Sequence, residues 1–202
     1  MTFRKRRILA ALLALALCLS LLPMSALAAE TTATTEGGLT VSGGTLNTDY
    51  TYGDNTLTVL TNTALTVSGT TTTDQIVVNG GVTANLTLNG VSITFNDGTA
   101  DSGHATEDNA GTCALSLGKG STLNLTLTGE NTLQSGAERA GIFVPAGATL
   151  TIKGTGTLNV AGGKLAAGIG GDLWNNAGTI TIENGIINAT GGSNAAAMPT
   201  TA

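Results

Sequence analysis

The chain is poor in aromatic, charged and cysteine residues, and each shortage excludes a class of protein. Aromatic side chains make up 3% and charged side chains 10% of its 202 residues. Apolar residues nevertheless reach 41% and recur periodically, which excludes a disordered polar chain. Beyond residue 28 the single cysteine is Cys113, so that part of the chain forms no internal disulfide. Cys113 opens the apolar run 113–117, which predicts a buried thiol.

Basic residues are also scarce, and they are unevenly placed. Four of the eight lie within the first seven residues, whereas all thirteen acidic residues lie beyond residue 28. The later part of the chain therefore carries four basic against thirteen acidic side chains, a net charge of −9. A charge of this sign argues against nucleic acid and against anionic membrane surfaces as partners.

Residues 1–28 have the pattern of a secretory signal peptide. The basic run Arg4–Arg7 precedes the apolar run Ile8–Leu22, and Ala26-Leu27-Ala28 provides a small-residue cleavage site. The apolar run is short for a membrane-spanning helix, although a retained membrane anchor is the alternative. We therefore predict that the protein is secreted and extracellular, with association with the cell surface as a further possibility. We expect no membrane contact after the signal peptide is cleaved.

The rest of the chain predicts an all-β domain. Residues 29–37 are threonine-rich without apolar periodicity, which predicts a linker before a single domain at 38–202. Short alternating apolar runs follow one another, separated by Ser-Gly, Asn-Gly and Gly-Gly pairs. The 29 glycines suit the many tight turns that such a domain requires.

Three similar segments end the chain, at 125–142, 150–169 and 180–198. A repeating unit of this length with strand-like alternation is typical of a β-solenoid, in which each repeat is one coil stacked on the last. A hairpin meander would give no reason for a fixed period. Like residues should then stack between coils, in three sets: Leu125, Leu150 and Ile180; Leu127, Ile152 and Ile182; and the amides Gln134, Asn159 and Asn188.

The length predicts about six coils, the last of them incomplete. The triplet Ala196–Met198 begins a further coil, so we expect the array to continue in a longer protein with further coils or surface-anchoring domains. A missing cap is the alternative.

An insertion at 96–111 holds the densest group of acidic side chains. Carboxylate oxygens at such spacing are suitable Ca²⁺ ligands, although the pattern is not that of an EF-hand. The sequence thus offers a calcium site, with a solvated polar loop as the alternative. Its candidate ligands are Asp97, Asp101, Glu107 and Asp108, beside His104.

The single tryptophan, Trp174, lies in a second insertion beside Asp172 and Asn175. An aromatic face flanked by a carboxylate and an amide can stack on a sugar ring and bind its hydroxyl groups. These three residues are therefore candidate ligand-binding residues. A structural anchor that packs the loop on the coil wall is the alternative.

The pattern for glycan cleavage is weak. Solenoid glycosidases require a pair of carboxyl groups, and no repeat here places two carboxylates at neighbouring coil positions. We therefore predict a non-catalytic module. A structural stalk or adhesin segment, and a polysaccharide lyase or glycoside hydrolase, remain as alternatives.

Segments 51–70, 74–93, 121–136 and 166–192 together carry a family resemblance. They are similar to the secreted carbohydrate-binding β-helix proteins of anaerobic Gram-positive bacteria. The resemblance implies a right-handed parallel β-helix, a pectate-lyase-like solenoid. It also implies binding to plant cell-wall polysaccharide, cellulose or a pectin-like polygalacturonate, with Ca²⁺ in some members. No family motif assigns a binding residue in this sequence.

Overall fold

The structure is a computed structural model that describes residues 33–99, 110–173 and 175–195. Within these residues the chain is all-β, as predicted, and contains no helix. The predicted signal peptide and the coil start at Ala196–Met198 lie outside the described residues. The strands are β1 (Thr34–Glu36), β2 (Leu39–Ser42), β3 (Tyr50–Gly53), β4 (Thr56–Val59), β5 (Ala64–Thr71), β6 (Gln75–Val78), β7 (Thr83–Thr94), β8 (Leu115–Leu117), β9 (Thr122–Thr128), β10 (Glu130–Gln134), β11 (Ile142–Phe143), β12 (Thr149–Gly154), β13 (Thr157–Ala161), β14 (Ile169–Gly170), β15 (Thr179–Ile182) and β16 (Ile186–Thr190).

The strands form two sheets in which successive layers pair in parallel. The first sheet runs β1-β2-β5-β7 and then divides, because the long strand β7 pairs with both β9 and β10. One branch continues through β12 to β15, and the other through β13 to β16. The second sheet runs β3-β4-β6-β8-β11-β14. The described residues therefore contain five parallel layers, where the sequence predicted about six coils.

The register of the third repeat matches the prediction, and that of the first does not. Ile180 and Ile182 lie beside Leu150 and Ile152, as expected. Leu150, however, pairs with Leu123 rather than with Leu125, so the predicted alignment of the first two repeats was wrong by two residues. Because side chains alternate along a strand with a period of two, this slip leaves the same residues facing inward.

The predicted amide ladder is correct at one step only. Asn159 pairs with Asn188, whose side-chain nitrogen donates to the Asn159 oxygen at 2.8 Å. Gln134 instead pairs with Ala161, and the Asn159 amide donates to Glu130 Oε1 at 3.1 Å. The ladder therefore joins an acid to two amides, a consequence of the same two-residue slip.

Alternation along the strands fills the interior with aliphatic side chains. In β9, Leu123, Leu125 and Leu127 are fully buried, whereas Asn124 and Thr126 are half-buried on the outer face. Comparable rows of Leu, Ile and Val recur in the first four parallel layers and form one continuous core. Burial of this apolar surface drives the layers together.

One buried polar residue bridges three layers. Asn131 is fully buried in β10, where its side-chain oxygen accepts a hydrogen bond from the Val91 N–H at 3.0 Å. Its amide nitrogen donates to the carbonyl oxygens of Thr128 and Thr157, at 3.1 and 3.3 Å. A buried amide with these partners satisfies backbone groups where β9 bends into β10.

The N-terminal end differs from the rest, because its strands pair antiparallel. β1 pairs with β2 and β3 with β4 in this way, and β1 lies within the segment for which the sequence predicted a linker. The buried carboxylate of Asp74 holds the pairs together. It accepts hydrogen bonds from the Gly38 N–H at 2.9 Å and from the hydroxyl groups of Tyr52 and Thr71. These hydrogen bonds link the antiparallel strands at the N-terminal end of the described structure to one another.

The last described layer is more exposed than those before it. Ile182 in β15 is 39% exposed and Ile186 in β16 is 59% exposed, although both occupy strands that continue the ladders. The described residues contain no helix that is long and apolar enough to cross a membrane.

Candidate functional site

A polar groove of about 380 Å³ lies on the second sheet, where corner segments of several layers meet. Three layers contribute their corners to it: residues 110–113 before β8, 139–140 before β11, and 171–172 after β14. Backbone bonds join the first two corners, since the Gly111 N–H donates to the Ala137 carbonyl oxygen at 2.8 Å. The groove is lined by Gln75, Gly111, Thr112, Cys113, Ser116, Arg139, Phe143 and Asp172.

Phe143 supplies the aromatic surface of the groove. It follows the fully buried Ile142 in β11, so alternation directs its side chain to the outer face. Its neighbours in the ladder are Ser116 in β8 and Gly170 in β14. Because serine is small and glycine has no side chain, neither neighbour is large enough to cover the ring, and Phe143 remains half-buried.

An ion pair forms one wall of the groove. Arg139 Nη1 lies 3.0 Å from Asp172 Oδ2, and Arg139 Nε donates to the Gly111 carbonyl oxygen at 3.1 Å. The other Asp172 oxygen accepts a hydrogen bond from the Ala140 N–H at 2.6 Å. The Asp172 side chain is only 4% exposed, whereas that of Arg139 is 34% exposed. Both side chains line the groove, and the guanidinium group is the more exposed of the two.

Burial dominates the acid–base properties of this wall. It raises the pKa of Asp172, against the opposing effects of the Ala140 N–H and the Arg139 guanidinium. It also raises the pKa of Cys113 to about 12. The Cys113 sulfur lies 3.2 Å from the carbonyl oxygens of Leu115 and Ala140. The thiol is buried, as the sequence predicted, and its raised pKa disfavours the reactive thiolate form.

The corner beneath the groove also contains a strained acidic residue. Glu138 has a left-handed backbone (φ 65°), is 3% exposed, and has one carboxylate oxygen without a hydrogen-bond partner in the described structure. Its backbone is well held, because its N–H donates to Lys164 and its carbonyl oxygen accepts from Leu173. These bonds attach the 171–173 segment to the corner that carries Arg139.

A second cleft, of about 260 Å³, lies on the other side of the 136–139 corner. Asp97 lines it, with one oxygen accepting the Thr112 N–H at 3.0 Å and the other the Thr112 hydroxyl at 2.6 Å. Among the described residues no group of three His, Cys, Asp or Glu side chains is arranged to hold a metal ion. The other candidate calcium ligands, Asp101, Glu107 and Asp108, lie outside the described residues, as does His104.

The candidate sugar ligands separate in the structure. Asp172 lines the groove, but both of its oxygens are engaged in the wall. Asn175 is exposed and donates to the Leu173 carbonyl oxygen at 3.2 Å, and it does not line the groove. Trp174 lies outside the described residues. Of the two that the structure describes, only Asp172 lines the groove.

Sequence reasoning did not single out the groove residues Arg139, Phe143, Ser116 and Gln75. A signal was available for Phe143, because an aromatic residue directly after an inward-facing isoleucine must face outward. Arg139 and Gln75 are separated by 64 positions in the sequence, and only the stacking of layers brings them to one groove.

The groove combines an aromatic surface with hydroxyl, amide and guanidinium groups. Such a combination suits a sugar, which has an apolar face of C–H groups and a rim of hydroxyl groups. Gln75 contributes the amide group of the groove, and its nitrogen donates a hydrogen bond to the Thr56 hydroxyl at 3.1 Å. The groove has the chemistry of a binding site, with no activated nucleophile among its described residues.

Comparison with known proteins agrees with this chemistry. No curated protein and no solved structure is significantly similar to the chain. A family model described as "Carbohydrate-binding domain-containing protein" matches residues 53–198, which span all five parallel layers and the groove. Because the match covers well over half of the sequence, the chain belongs to this family of carbohydrate-binding domain-containing proteins.

Proposed function

We propose that this protein is a secreted, non-catalytic module that binds cell-wall polysaccharide in the groove beside Phe143. The observation that carries the proposal is the position of this aromatic residue within a polar groove of a chain from a carbohydrate-binding family. In this proposal the ring stacks on one sugar residue, while Gln75, Ser116 and Arg139 bind hydroxyl groups at its edge. Cellulose and pectin-like polymers are the two candidate ligands.

The single carboxylate among the described lining residues of the groove supports binding rather than cleavage. Most glycoside hydrolases use two carboxyl groups about 5–9.5 Å apart, one of them an acid or base free to exchange protons. Asp172 is the one acidic side chain among the described residues that line the groove. Both of its oxygens accept hydrogen bonds, one from Arg139 and the other from the Ala140 N–H.

The architecture that we propose is a right-handed parallel β-helix. This proposal is supported by the parallel pairing of successive layers in both sheets. A chain that winds one coil per layer would produce such pairing. Parallel crossover connections are almost always right-handed.

Secretion is part of the proposal because of the signal-like pattern at 1–28, and sequencing the N-terminus of the exported protein would test it.

Calcium assistance is a separate part of the proposal. Asp97 alone of the candidate ligands is described, and its carboxylate already accepts two hydrogen bonds from Thr112. The measurable expectation is a rise in melting temperature on adding Ca²⁺ that is lost in a variant with Asp97 and Asp101 both changed to Ala. No rise in the parent protein would refute calcium binding at this segment.

The experiment that tests the function is a binding assay on the mature chain, residues 29–202. Pull-down on insoluble cellulose and affinity gels containing polygalacturonate would be run with Ca²⁺ and with chelator. The supernatant would be assayed for new reducing or unsaturated ends. Binding without new ends supports a non-catalytic module, whereas new ends would identify a lyase or hydrolase.

Phe143→Ala tests the groove itself. We expect it to weaken binding by about tenfold or less, the range of one aromatic contact. The matched control is Val77→Ala, because Val77 lies in the same outward row two layers away and does not line the groove. Equal affinities of both variants and the parent would exclude this groove. No binding by the folded parent would favour a structural stalk or adhesin segment.

A further inference from the structure

The groove holds one cation, and its charge is already balanced within the wall. Among the described lining residues, Arg139 is the only basic one and Asp172 the only acidic one. Their 3.0 Å contact is supported by the Ala140 N–H, which fixes the carboxylate from its other side. The remaining polar lining side chains, those of Gln75, Thr112 and Ser116, are neutral amides and hydroxyls.

The guanidinium group nevertheless has donors that no bond within the described residues uses. It has five N–H groups, and the bonds to Gly111 and Asp172 use two of them. A sugar hydroxyl can accept from the others while the ion pair stays intact. An uncharged sugar could therefore bind without disturbing the wall.

A sugar acid meets a different situation. To pair with Arg139, its carboxylate would have to share the guanidinium with Asp172, which brings two like charges together. If Asp172 gave way, a carboxylate only 4% exposed would lose its counterion, which is strongly unfavourable. The net charge of −9 beyond residue 28 adds a long-range repulsion of anionic polymers.

We propose that Asp172 is the specificity-determining residue of the groove, which it makes selective for uncharged sugars over sugar acids by neutralising Arg139. The proposal rests on the carbohydrate-binding function proposed above and chooses between its two candidate ligands. It also gives Asp172 an indirect role in sugar recognition, in place of the direct contact expected from the sequence.

The test compares the parent with Asp172→Asn. Asparagine has nearly the same shape, and its oxygen can still accept from the Ala140 N–H, but the negative charge is removed. Binding would be measured by calorimetry with neutral cello-, xylo- and manno-oligosaccharides and with oligogalacturonate of equal length. We expect the parent to prefer a neutral oligosaccharide. In the variant, affinity for oligogalacturonate should rise about tenfold, and the rise should disappear in about 1 M salt.

Two further variants separate this effect from simpler ones. Glu183→Gln removes the same charge at an exposed position outside the groove, so it should leave both affinities unchanged. The double variant Asp172→Asn/Arg139→Gln should lose the gain, because the cation is no longer present. Circular dichroism and melting curves would verify folding. Should Asp172→Asn not fold, the preference of the parent still tests the proposal.

The outcomes distinguish this inference from the function on which it rests. If the folded parent binds none of the oligosaccharides, the proposed function fails and the inference fails with it. If the parent binds but prefers oligogalacturonate, the function stands and the inference is overturned. The inference is also overturned if Asp172→Asn gains no affinity for oligogalacturonate, or if Glu183→Gln gains as much.

Discussion

Ile182 lies in register beside Ile152, yet Ile152 is fully buried and Ile182 is 39% exposed. The two residues occupy the same position in successive layers and differ in what lies above them. Ile152 is covered on both sides, by Leu125 and by Ile182, whereas β15 has β12 as its only strand partner in the described structure. Whether an isoleucine at this position is buried therefore depends on whether its layer is covered on both sides, and not on the residue type.

This pair provides a direct test of the layered core. We expect Ile152→Ala to reduce the free energy of unfolding by about 2–5 kcal/mol, because it leaves a cavity between two layers. Ile182→Ala should cost about 1 kcal/mol or less, because much of its surface is already in water. Urea denaturation monitored by circular dichroism measures both. Equal costs would contradict the stacking described here.

A second prediction concerns the corners. A Cβ atom on Gly163 would overlap the carbonyl oxygen of Gly136 in the layer below, so the layers can approach only when this position is glycine. Gly163→Ala should therefore lower the melting temperature by several degrees. The control is Gly53→Ala, since no heavy atom outside the adjacent residues lies within 4 Å of a Cβ there. That control should be neutral or slightly stabilising, through a less flexible unfolded chain.

A third prediction concerns pH at the N-terminal layer. The hydrogen bond from Tyr52 to Asp74 raises the pKa of Tyr52 to about 12, from about 10 in an unfolded chain. A raised folded-state pKa contributes stability that is complete below about pH 10 and lost as the pH rises through about 12. Tyr52→Phe should lower stability near pH 8 by about 1.5–3 kcal/mol and flatten the alkaline decline.

Absorbance of tyrosinate checks this assignment. The mature chain has two tyrosines, Tyr50 and Tyr52, so subtracting the titration of Tyr52→Phe from that of the parent isolates Tyr52. A midpoint near 10 for the isolated titration would show that the bond to Asp74 does not hold the phenol. The same bond network acts on the acid: burial by itself would raise the pKa of Asp74, but the hydroxyls of Thr71 and Tyr52 and the Gly38 N–H lower it.

A fourth prediction concerns Cys113. Because burial raises the pKa of Cys113 to about 12, almost no thiolate exists near pH 8 in the folded protein. A thiol reagent should therefore modify the mature chain only as fast as it unfolds, and completely in urea. A variant with Thr151→Cys on the half-buried outer face should react in the folded state. Rapid native labelling of the parent would place Cys113 in a more open site.

The strand pattern was predictable because alternation is a local property. Apolar residues at every second position, separated by glycine turns, indicate an all-β chain and its inward-facing residues. The register between the first two repeats was not predictable in the same way. Leu150 can stack on Leu123 or on Leu125 with the same faces buried, and the structure has the register in which Leu150 pairs with Leu123 and Gly163 lies against Gly136.

The candidate groove shows the same division. The sequence neighbours of Asp172 made it a candidate ligand-binding residue, which stays a prediction, but its partner Arg139 lies 33 positions earlier and carried no local signal. Phe143 could have been recognised from its outward position beside Ile142, whereas its polar neighbours come from other layers. Local patterns thus identified single residues, and the groove required their combination.

By itself the sequence determined the all-β character and the residues that face the core, because these depend on interactions between near neighbours in the chain. The tertiary structure decided the register of the layers, the antiparallel pairs at the N-terminal end and the composition of the groove. The register and the groove depend on contacts between residues more than 20 positions apart, such as Leu123 with Leu150 and Ile76 with Leu115. The free energy of such contacts depends on which corners fit together in space.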